Sequence, residues 1–304
     1  MVNDKKKFQI IGCINENSEG FVRPNITYWQ DAWRRLKKNK IAMTALVMLI
    51  VIVFMCIFGP FMSPYKDFQQ NGNLINKSPF GNHYLGTDNL GRDIFVRLWT
   101  GGRVSIEIGL VATLIEMFIG TIYGGISGYV GGIVDDILMR IVEVINGIPY
   151  MIVVILVSLV LDKGIFSLII ALCITAWTGI ARVVRGQVLQ LKESEYVLAA
   201  KALGADSKRI IFKHLIPNTF GVIIVYMTFD IPAFMFSEAF LSFIGLGVQP
   251  PNTSWGAMCA TGQTLMSFYP YQLFFPALAI SLTMLSFNLL GDGLRDALDP
   301  KLRQ

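Results

Sequence analysis

Hydrophobic positions along this chain are grouped into long runs that are separated by shorter polar segments. A helix that crosses the hydrocarbon core of a bilayer needs about twenty consecutive apolar residues. Six runs approach or exceed that length, so the pattern predicts an all-α membrane protein with six transmembrane helices. The predicted spans cover residues 41–62, 104–129, 141–161, 164–181, 219–244 and 271–291.

Two local features refine this topology. Only Asp162 and Lys163 separate the third span from the fourth, which predicts a tight helical hairpin. The fifth run contains Asp230 and Pro232 near its middle. Proline removes one helix hydrogen bond and its ring clashes with the preceding turn, so we expect the fifth span to be kinked or broken there.

The composition supports a membrane protein. Of the 304 residues, 53% are hydrophobic and 15% are charged, whereas charged residues make up about 25% of an ordinary soluble domain. The formal net charge of +5 is modest, and we predict no nucleic-acid partner. The lipid bilayer of the cell membrane is the expected environment.

The distribution of Lys and Arg predicts the orientation. Basic residues are concentrated in residues 1–40, in 182–218 and in the C-terminal tail, whereas 245–270 contain none. Because cytoplasmic loops carry the excess of Lys and Arg, both termini and the 182–218 segment are predicted to be cytoplasmic. The loop 63–103 lies outside in this scheme although it holds five basic residues.

The chain accordingly divides into four parts. A cytoplasmic N-terminal segment is followed by the first span with its extracytoplasmic loop, then by five further helices with a cytoplasmic loop at 186–217, and then by a cytoplasmic tail. These parts cover residues 1–40, 41–103, 104–291 and 292–304.

The residues just before the first span, 28–40, have the pattern of an amphipathic helix. Trp29 and Trp33 would lie at headgroup depth on the inner membrane surface, and the basic face would contact anionic lipid. The alternative is an ordinary cytoplasmic flank whose charges stop translocation.

Glycines recur every four residues through the second span and just beyond it. Residues four apart lie on one face of a helix, so this row removes side chains from one face and allows a second helix to approach closely. We predict a helix-packing seam; a groove facing lipid is the alternative. The row consists of Gly120, Gly124, Gly128 and Gly132.

Acidic residues lie within the apolar runs, at Glu107, Glu116, Asp230 and Glu238. Ionisable groups inside a membrane are unfavourable and usually face a cavity or a partner. Glu107 and Glu238 are close to span ends. Glu116, Asp230 and Glu238 are candidate residues of a translocation pathway, and interhelical hydrogen bonding is the alternative for each.

No catalytic, metal or nucleotide site is predicted. The sequence GISG at 125–128 resembles the serine motif of intramembrane proteases, but the only histidines, His83 and His214, fall in polar segments on opposite sides. There is no HExxH motif, the four cysteines are far apart, and no Gly-Lys dipeptide exists. The chain therefore cannot bind ATP through a P-loop.

The polar segment EYVLAAKALGADSKRIIFKHLIPN at 195–218 predicts a helix–turn–helix. Residues 195–203 favour a helix, Gly204 can adopt the left-handed conformation that ends it, and Asp206 suits the start of a second helix through Leu215. Pro217 fits the first turn of the fifth span. Ala199 and Ala200 would present a flat surface to a partner protein; a solvated helix without a partner is the alternative.

This segment resembles the EAA loop of binding-protein-dependent ABC importer permeases, in which EAA is followed by glycine and later by proline at fixed intervals. Leu198 stands in the place of the motif glutamate, and Glu195, one turn earlier, could substitute for it. The resemblance implies that this loop contacts ATPase subunits. The residues so implied are Glu195, Leu198, Ala199, Ala200, Gly204, Ala205, Asp206 and Pro217.

Further stretches resemble the C-type permease subunit of dipeptide, oligopeptide and nickel importers: WRRLKKNKIAM (33–43), LGTDNLGRDIFVRLWTGGRVSIEIGL (85–110), EAFLSFIGLGVQPPNTSWG (238–256) and GDGLRDALDP (291–300). The resemblance implies a MetI-like permease core with an extra N-terminal span and an amphipathic elbow helix.

The resemblance also implies the partners and the function: a homologous second permease subunit, two ATPase subunits that bind ATP and Mg²⁺, an extracytoplasmic binding protein and a peptide substrate. The chain itself would hold no cofactor and would not be an enzyme. Nickel or another small solute is an alternative cargo. A stand-alone proton-coupled transporter is a further alternative, which would use Glu116 or Asp230 as the proton carrier.

Overall fold

The computed structural model describes residues 27–161 and 164–299. Within these ranges the protein is all-helical, without a β-sheet, as the sequence predicts. The helices are α1 (Tyr28–Lys38), α2 (Lys40–Phe58), α3 (Ile94–Val130), α4 (Gly132–Asn146), α5 (Tyr150–Val160), α6 (Ile165–Leu191), α7 (Glu195–Ala202), α8 (Ser207–Arg209), α9 (Ile216–Phe243), α10 (Trp255–Thr264) and α11 (Tyr271–Leu298).

Helices α2, α3, α6, α9 and α11 are each long and apolar enough to cross a membrane. The pair α4 and α5 supplies a sixth crossing if it is counted as one bent span. The predicted fold class, an all-α membrane protein built on six spans, is thereby confirmed.

The third predicted span, 141–161, is wrong as a single helix. The structure contains α4 and α5, which are bent by 78° at the break between them. Helix α4 ends where the N–H of Gly147 turns back onto the carbonyl of Glu143 at 3.0 Å, and Pro149, which has no N–H, occupies the N-cap of α5. The predicted hairpin at Asp162 and Lys163 lies outside the described residues.

Other helix boundaries also differ from the prediction. Helix α3 begins ahead of residue 104, because the Asp93 carboxylate accepts the N–H of Val96 at 2.9 Å and caps the helix. Helix α6 continues past residue 181 to Leu191. Helix α9 runs unbroken through Pro232, so of the two predicted alternatives, a kink or a break, the break is wrong. Pro232 is buried, and packed neighbours allow proline inside a membrane helix.

Helix α3 lies at the centre and packs mainly against α6 and α9, while α11 packs against α2 and α9. Helix α10 lies beside the start of α3: Gly101 of α3 packs against Ser254, the N-cap residue of α10. The segment around α7 packs near the far end of α3, where Val197 and Tyr129 share one apolar cluster. We refer to these opposite ends of the bundle as the α10 end and the α7 end.

The glycine row brings α3 against the backbone of α6. A Cβ added at Gly120 or Gly124 would collide with main-chain atoms of Trp177 or Ala181, and one at Gly128 would lie 2.9 Å from the Arg185 carbonyl oxygen. Gly132 does not belong to this seam, which corrects the prediction for that residue. It follows the end of α3, has a φ of +56°, and has nothing within 4 Å of its Cβ position.

Helix α1 is amphipathic, as predicted, but ends at Lys38. Ala32 and Leu36 are buried while Trp29 and Trp33 are exposed, and α1 packs on α11 and α2. The side chain of Asn39 then accepts the N–H groups of the first residues of α2, which fixes the angle between the two helices.

The segment 59–93 forms a fixed cap on the α10 end. Buried His83 and Asp93 are joined at 2.7 Å. The Asp88 carboxylate pairs with Arg92 at 2.7 Å and with Arg97 at 3.4 Å. Two of the five basic residues that conflicted with the charge-based orientation are therefore paired with an acidic residue.

Candidate functional site: the α7 surface and the buried acidic residues

Helix α7 stands apart from the bundle. Of its residues only Val197 is buried, at 2% exposure. Glu195 and Ala199 are exposed and Ala200 is partly exposed. Leu198 is 49% exposed although it is apolar. One buried side chain anchors the helix, and the remaining surface is free to meet a partner.

A Schellman motif ends α7. The N–H of Ala205 bonds to the carbonyl of Ala200 at 3.0 Å, and the N–H of Gly204 bonds to the carbonyl of Lys201 at 3.0 Å. The φ of Gly204 is +82°, in the left-handed region that the sequence predicts. A side chain at this position would oppose the turn, although no neighbouring atom would block it.

The second helical segment is not a separate helix, which corrects the prediction for Asp206 to Leu215. The Asp206 carboxylate caps α8, accepting the N–H of Arg209 at 3.3 Å. Residues Ile210–Leu215 then form a π-helix that continues into α9. Pro217 lies in the first turn of α9, where its missing N–H suits the widened turn. The α7 turn is thus connected to the long helix α9 without an intervening loop.

Exposed apolar side chains lie on α7 and in the residues that follow it, including two that the sequence analysis did not select. Leu203 is 89% exposed and Phe212 is 47% exposed. Both residues could have been selected from the sequence, because large apolar residues inside a polar segment often mark an interaction surface. Phe212 also borders a shallow cleft. Asp206, Lys208, Arg209, Phe212, Lys213 and Pro217 line that cleft.

An ion pair fixes the base of this region, and the sequence analysis did not identify it. The guanidinium of Arg185 on α6 binds Asp135 on α4 in a bidentate manner, at 2.6 and 2.5 Å. Ser127 of α3 also donates to Asp135. The ammonium of Lys192 donates to the Gly128 carbonyl at 3.2 Å. Three helices are therefore tied together immediately before α7 begins.

Glu238 lies at the α10 end and is fully buried. Its carboxylate accepts hydrogen bonds from Ser105 at 3.2 Å, Ser242 at 2.7 Å and Ser254 at 2.7 Å. Each serine oxygen also accepts a backbone N–H. Of the two alternatives for Glu238, the interhelical hydrogen bond is the one that this structure shows.

Glu116 and Asp230 lie away from that network. Glu116 is 5% exposed, and its Oε2 atom accepts no hydrogen bond within the described residues. Asp230 is partly exposed on α9, a helix that packs against α3. Within residues 27–161 and 164–299 neither forms an ion pair, and no group of residues suited to a metal ion is present.

Two known protein families have models that match this chain. Residues 120–304 match the family model described as "Binding-protein-dependent transport system inner membrane component". Residues 27–79 match the "N-terminal TM domain of oligopeptide transport permease C". The second match covers α1, α2 and the first part of the cap.

Full-length relatives agree with the family models. The chain is 53% identical to the dipeptide transport system permease protein DppC of Bacillus subtilis (strain 168), over 95% of this chain and 91% of that protein. It is 48% identical to the oligopeptide transport system permease protein OppC of the same strain, over 99% and 98%.

A third relative comes from another organism. The oligopeptide transport system permease protein OppC of Haemophilus influenzae (strain ATCC 51907 / DSM 11121 / KW20 / Rd) is 44% identical, over 90% of this chain and 89% of that protein. All three relatives are named as permeases and none as an enzyme. The chain belongs to the binding-protein-dependent transport system inner membrane component family, and it is a multi-pass membrane permease of an ABC importer.

Proposed function

We propose that this chain forms half of the translocation pathway of a di- or oligopeptide importer, together with a homologous permease subunit. Two ATPase subunits dock on the α7 surfaces of the permease pair, and an extracytoplasmic binding protein delivers the peptide to the α10 end. ATP and Mg²⁺ are held by the ATPase subunits. Both termini and α7 face the cytoplasm, in agreement with the distribution of basic residues.

The observation that carries this proposal is the structure of the α7 surface. An exposed helix with one buried anchor and large exposed apolar neighbours is poorly suited to a solvated loop, because apolar patches on a protein surface usually mark interaction sites. Leu198 occupies the place of the motif glutamate, so this contact is made through an apolar side chain. Exposed Glu195 supplies a charge one turn earlier.

The connection from α7 to α9 supports force transmission. The Schellman turn at Gly204 is followed directly by α8, the π-helix and α9, which reaches the α10 end at Glu238. A displacement of α7 by an ATPase is therefore carried along one long helix rather than absorbed by a loop. Such a lever biases the bundle between two arrangements.

The peptide cargo is supported by the full-length similarity to dipeptide and oligopeptide permeases. Liquid chromatography and mass spectrometry of ligands that co-purify with the intact importer, including its binding protein, identify the cargo directly. Peptides of two or more residues are the expected result. A nickel ion or a non-peptide solute in their place would overturn the peptide assignment.

The coupling proposal is tested in the intact complex with Ala200→Arg and Gly204→Val. The first places a long charged chain in a close contact, and the second opposes the left-handed turn. Both residues lie on α7 or in the turn that ends it and not in a membrane-spanning helix, so the permease pair should assemble while ATPase subunits are lost or hydrolyse ATP without peptide uptake. Asp292→Arg, exposed near the end of α11, is the matched control. Normal uptake by both α7 variants would contradict the proposal.

A further inference from the structure

Helix α4 has few buried side chains and a turn at each end. Only two of its fifteen residues, Asp135 and Val142, are buried. It is joined to α3 through Gly131 and Gly132, whose φ angles are +69° and +56°, and its other end is the exposed bend at 147–149. Residues at the ends of an element absorb the backbone rotation when a helix pivots. Helix α4 is therefore suited to more than one orientation against the bundle.

Two hydrogen bonds between neutral groups join α4 to its neighbours. The hydroxyl of Tyr123 on α3 donates to the Leu138 carbonyl at 2.8 Å. The hydroxyl of Thr178 on α6 donates to the Asn146 side chain at 3.1 Å. Hydrogen bonds between neutral groups are about half as strong as those that involve charged groups, so these two bonds hold α4 weakly.

The ion pair of Asp135 with Arg185 is the stronger connection. The guanidinium of Arg185 on α6 donates to the two carboxylate oxygens at 2.6 and 2.5 Å, and Ser127 of α3 also donates to one of them. Two parallel hydrogen bonds from a planar guanidinium fix the direction of the contact as well as its length. The pair therefore sets the orientation of α4 on α6.

The same part of α6 carries α7. Arg185 lies within the last two turns of α6, which ends at Leu191, and α7 begins shortly afterwards at Glu195. Val197, the buried residue of α7, belongs to one apolar cluster with Val188 of α6. This short, packed connection leaves little freedom between the two helices. A displacement of α7 therefore moves the end of α6 that holds Asp135.

The directional contact is what distinguishes this pair from ordinary core packing. Apolar side chains of similar size often stabilise a buried position as well as an ion pair does. Apolar contacts have no preferred direction, however, so packed helices that share only such contacts can slide past one another. A bidentate pair instead requires that both helices keep their relative orientation while it is intact.

We infer that Asp135 and Arg185 are positioning residues for transport, which make α4 follow α7 when an ATPase subunit displaces it. The inference rests on the proposed import function and adds a second route for the movement, beside α9. This route ends at the bent pair α4 and α5, where the turns at 131–132 and 147–149 allow the pivot.

The test measures the movements of α4 and α7 separately in the reconstituted importer. Nitroxide labels are attached to p-acetylphenylalanine, so the native cysteines stay unchanged. Ile50 on α2 is the common reference position and is labelled together with Ile137 on α4 or with Lys201 on α7; all three are exposed. Double electron–electron resonance gives both distances before and after trapping with ATP and vanadate.

We expect both distances to shift by about 2 Å or more in the otherwise unchanged chain. Asp135→Asn removes the charge and the bidentate contact, so the shift at α4 should be lost while the shift at α7 persists. The number of ATP molecules hydrolysed per peptide transported should rise severalfold. Asp136→Asn is the matched control, because it removes the same charge from an exposed neighbouring residue, and it should keep both shifts.

A second variant covers the case in which Asp135→Asn does not assemble. Asp135→Leu combined with Arg185→Met leaves no unpaired charge in the bundle, and the shift at α4 should again be lost. A shift at α4 that persists in either variant would overturn the inference. Loss of both shifts together would also overturn it, because the pair would then have only a structural role.

The unsubstituted importer separates the inference from the proposed function. Movement of α7 without movement of α4 would overturn the inference alone. Absence of any ATP-dependent shift at α7 would overturn the proposed function, and the inference with it.

Discussion

The two ends of this permease are built differently. At the α10 end, Glu238 gathers three serines from three elements, and the cap is tied down through the pair of His83 and Asp93. At the α7 end, one buried residue, Val197, anchors an otherwise exposed helix. Hydrogen bonds between several elements hold the first end together, whereas mainly one buried side chain holds the second.

This difference indicates where conformational change is generated. A region held by a buried network of hydrogen bonds resists local opening, whereas a helix with few buried contacts has low local stability. We therefore expect the α10 end to move as one body. Under the proposed function, ATP-driven movement enters at the α7 end, through a helix that few contacts within the chain hold in place.

The strongest perturbation is expected at the seam between α3 and α6, which joins the two ends. Gly124→Leu drives a side chain into the backbone at Ala181, and neither helix can withdraw without losing its other contacts. Overpacking destabilises by about 1–3 kcal/mol and occasionally by more, so we expect a reduced yield of folded permease. Gly179→Leu on α6, where a Cβ meets nothing within 4 Å, should fold normally. Fluorescence-detected size-exclusion chromatography measures the yield of folded permease for both variants. Equal yields would contradict the conclusion that close packing of α3 on α6 is required for folding.

Removing the carboxylate of Glu238 should have the next largest effect. Glu238→Ala leaves three buried serine hydroxyls without their acceptor, and each unsatisfied group destabilises by about 1–3 kcal/mol. We expect a clear fall in the melting temperature of the detergent-purified permease. Glu107→Ala, an exposed glutamate on α3 near the same level, is the control. A melting temperature unchanged by Glu238→Ala would mean that the α10 end is not held by this network.

Leu203→Ala should have the smallest effect on stability and so sharpens the comparison. Leu203 is 89% exposed, and surface substitutions of this kind usually change the free energy of unfolding by less than about 0.5 kcal/mol. Its apolar side chain borders the α7 surface, so ATPase co-purification should weaken while the melting temperature stays constant. A destabilised permease with unchanged ATPase binding would reverse the roles assigned to the two ends.

The sequence predicted the features that depend on local pattern. Apolar runs gave the spans, four-residue glycine spacing gave the row from Gly120 to Gly128, and Gly204 gave the left-handed turn. These outcomes need only helix periodicity and the conformational freedom of glycine.

The features that the sequence did not predict share one physical reason: each depends on residues that are neighbours in space and not in sequence. Pro232 is accommodated because packed helices surround it, and Gly132 leaves the seam because α3 has already ended. The hydrogen bonds of Glu238 to Ser105 and Ser254 could not be predicted, because both serines are distant from it in sequence. The ion pair of Asp135 with Arg185 was missed because hydropathy does not show which charges face one another.

The most direct test of the account is a photo-cross-linking comparison between the two ends. Benzoylphenylalanine is placed at Leu198 on α7, or at exposed Phe68 in the cap, within the assembled importer. We predict an adduct between residue 198 and an ATPase subunit whose yield changes when ATP is bound, and no ATPase adduct from residue 68. Absence of an ATPase adduct at residue 198 in a complex that retains ATPase subunits would contradict the claim that α7 is where ATP-driven movement enters the membrane.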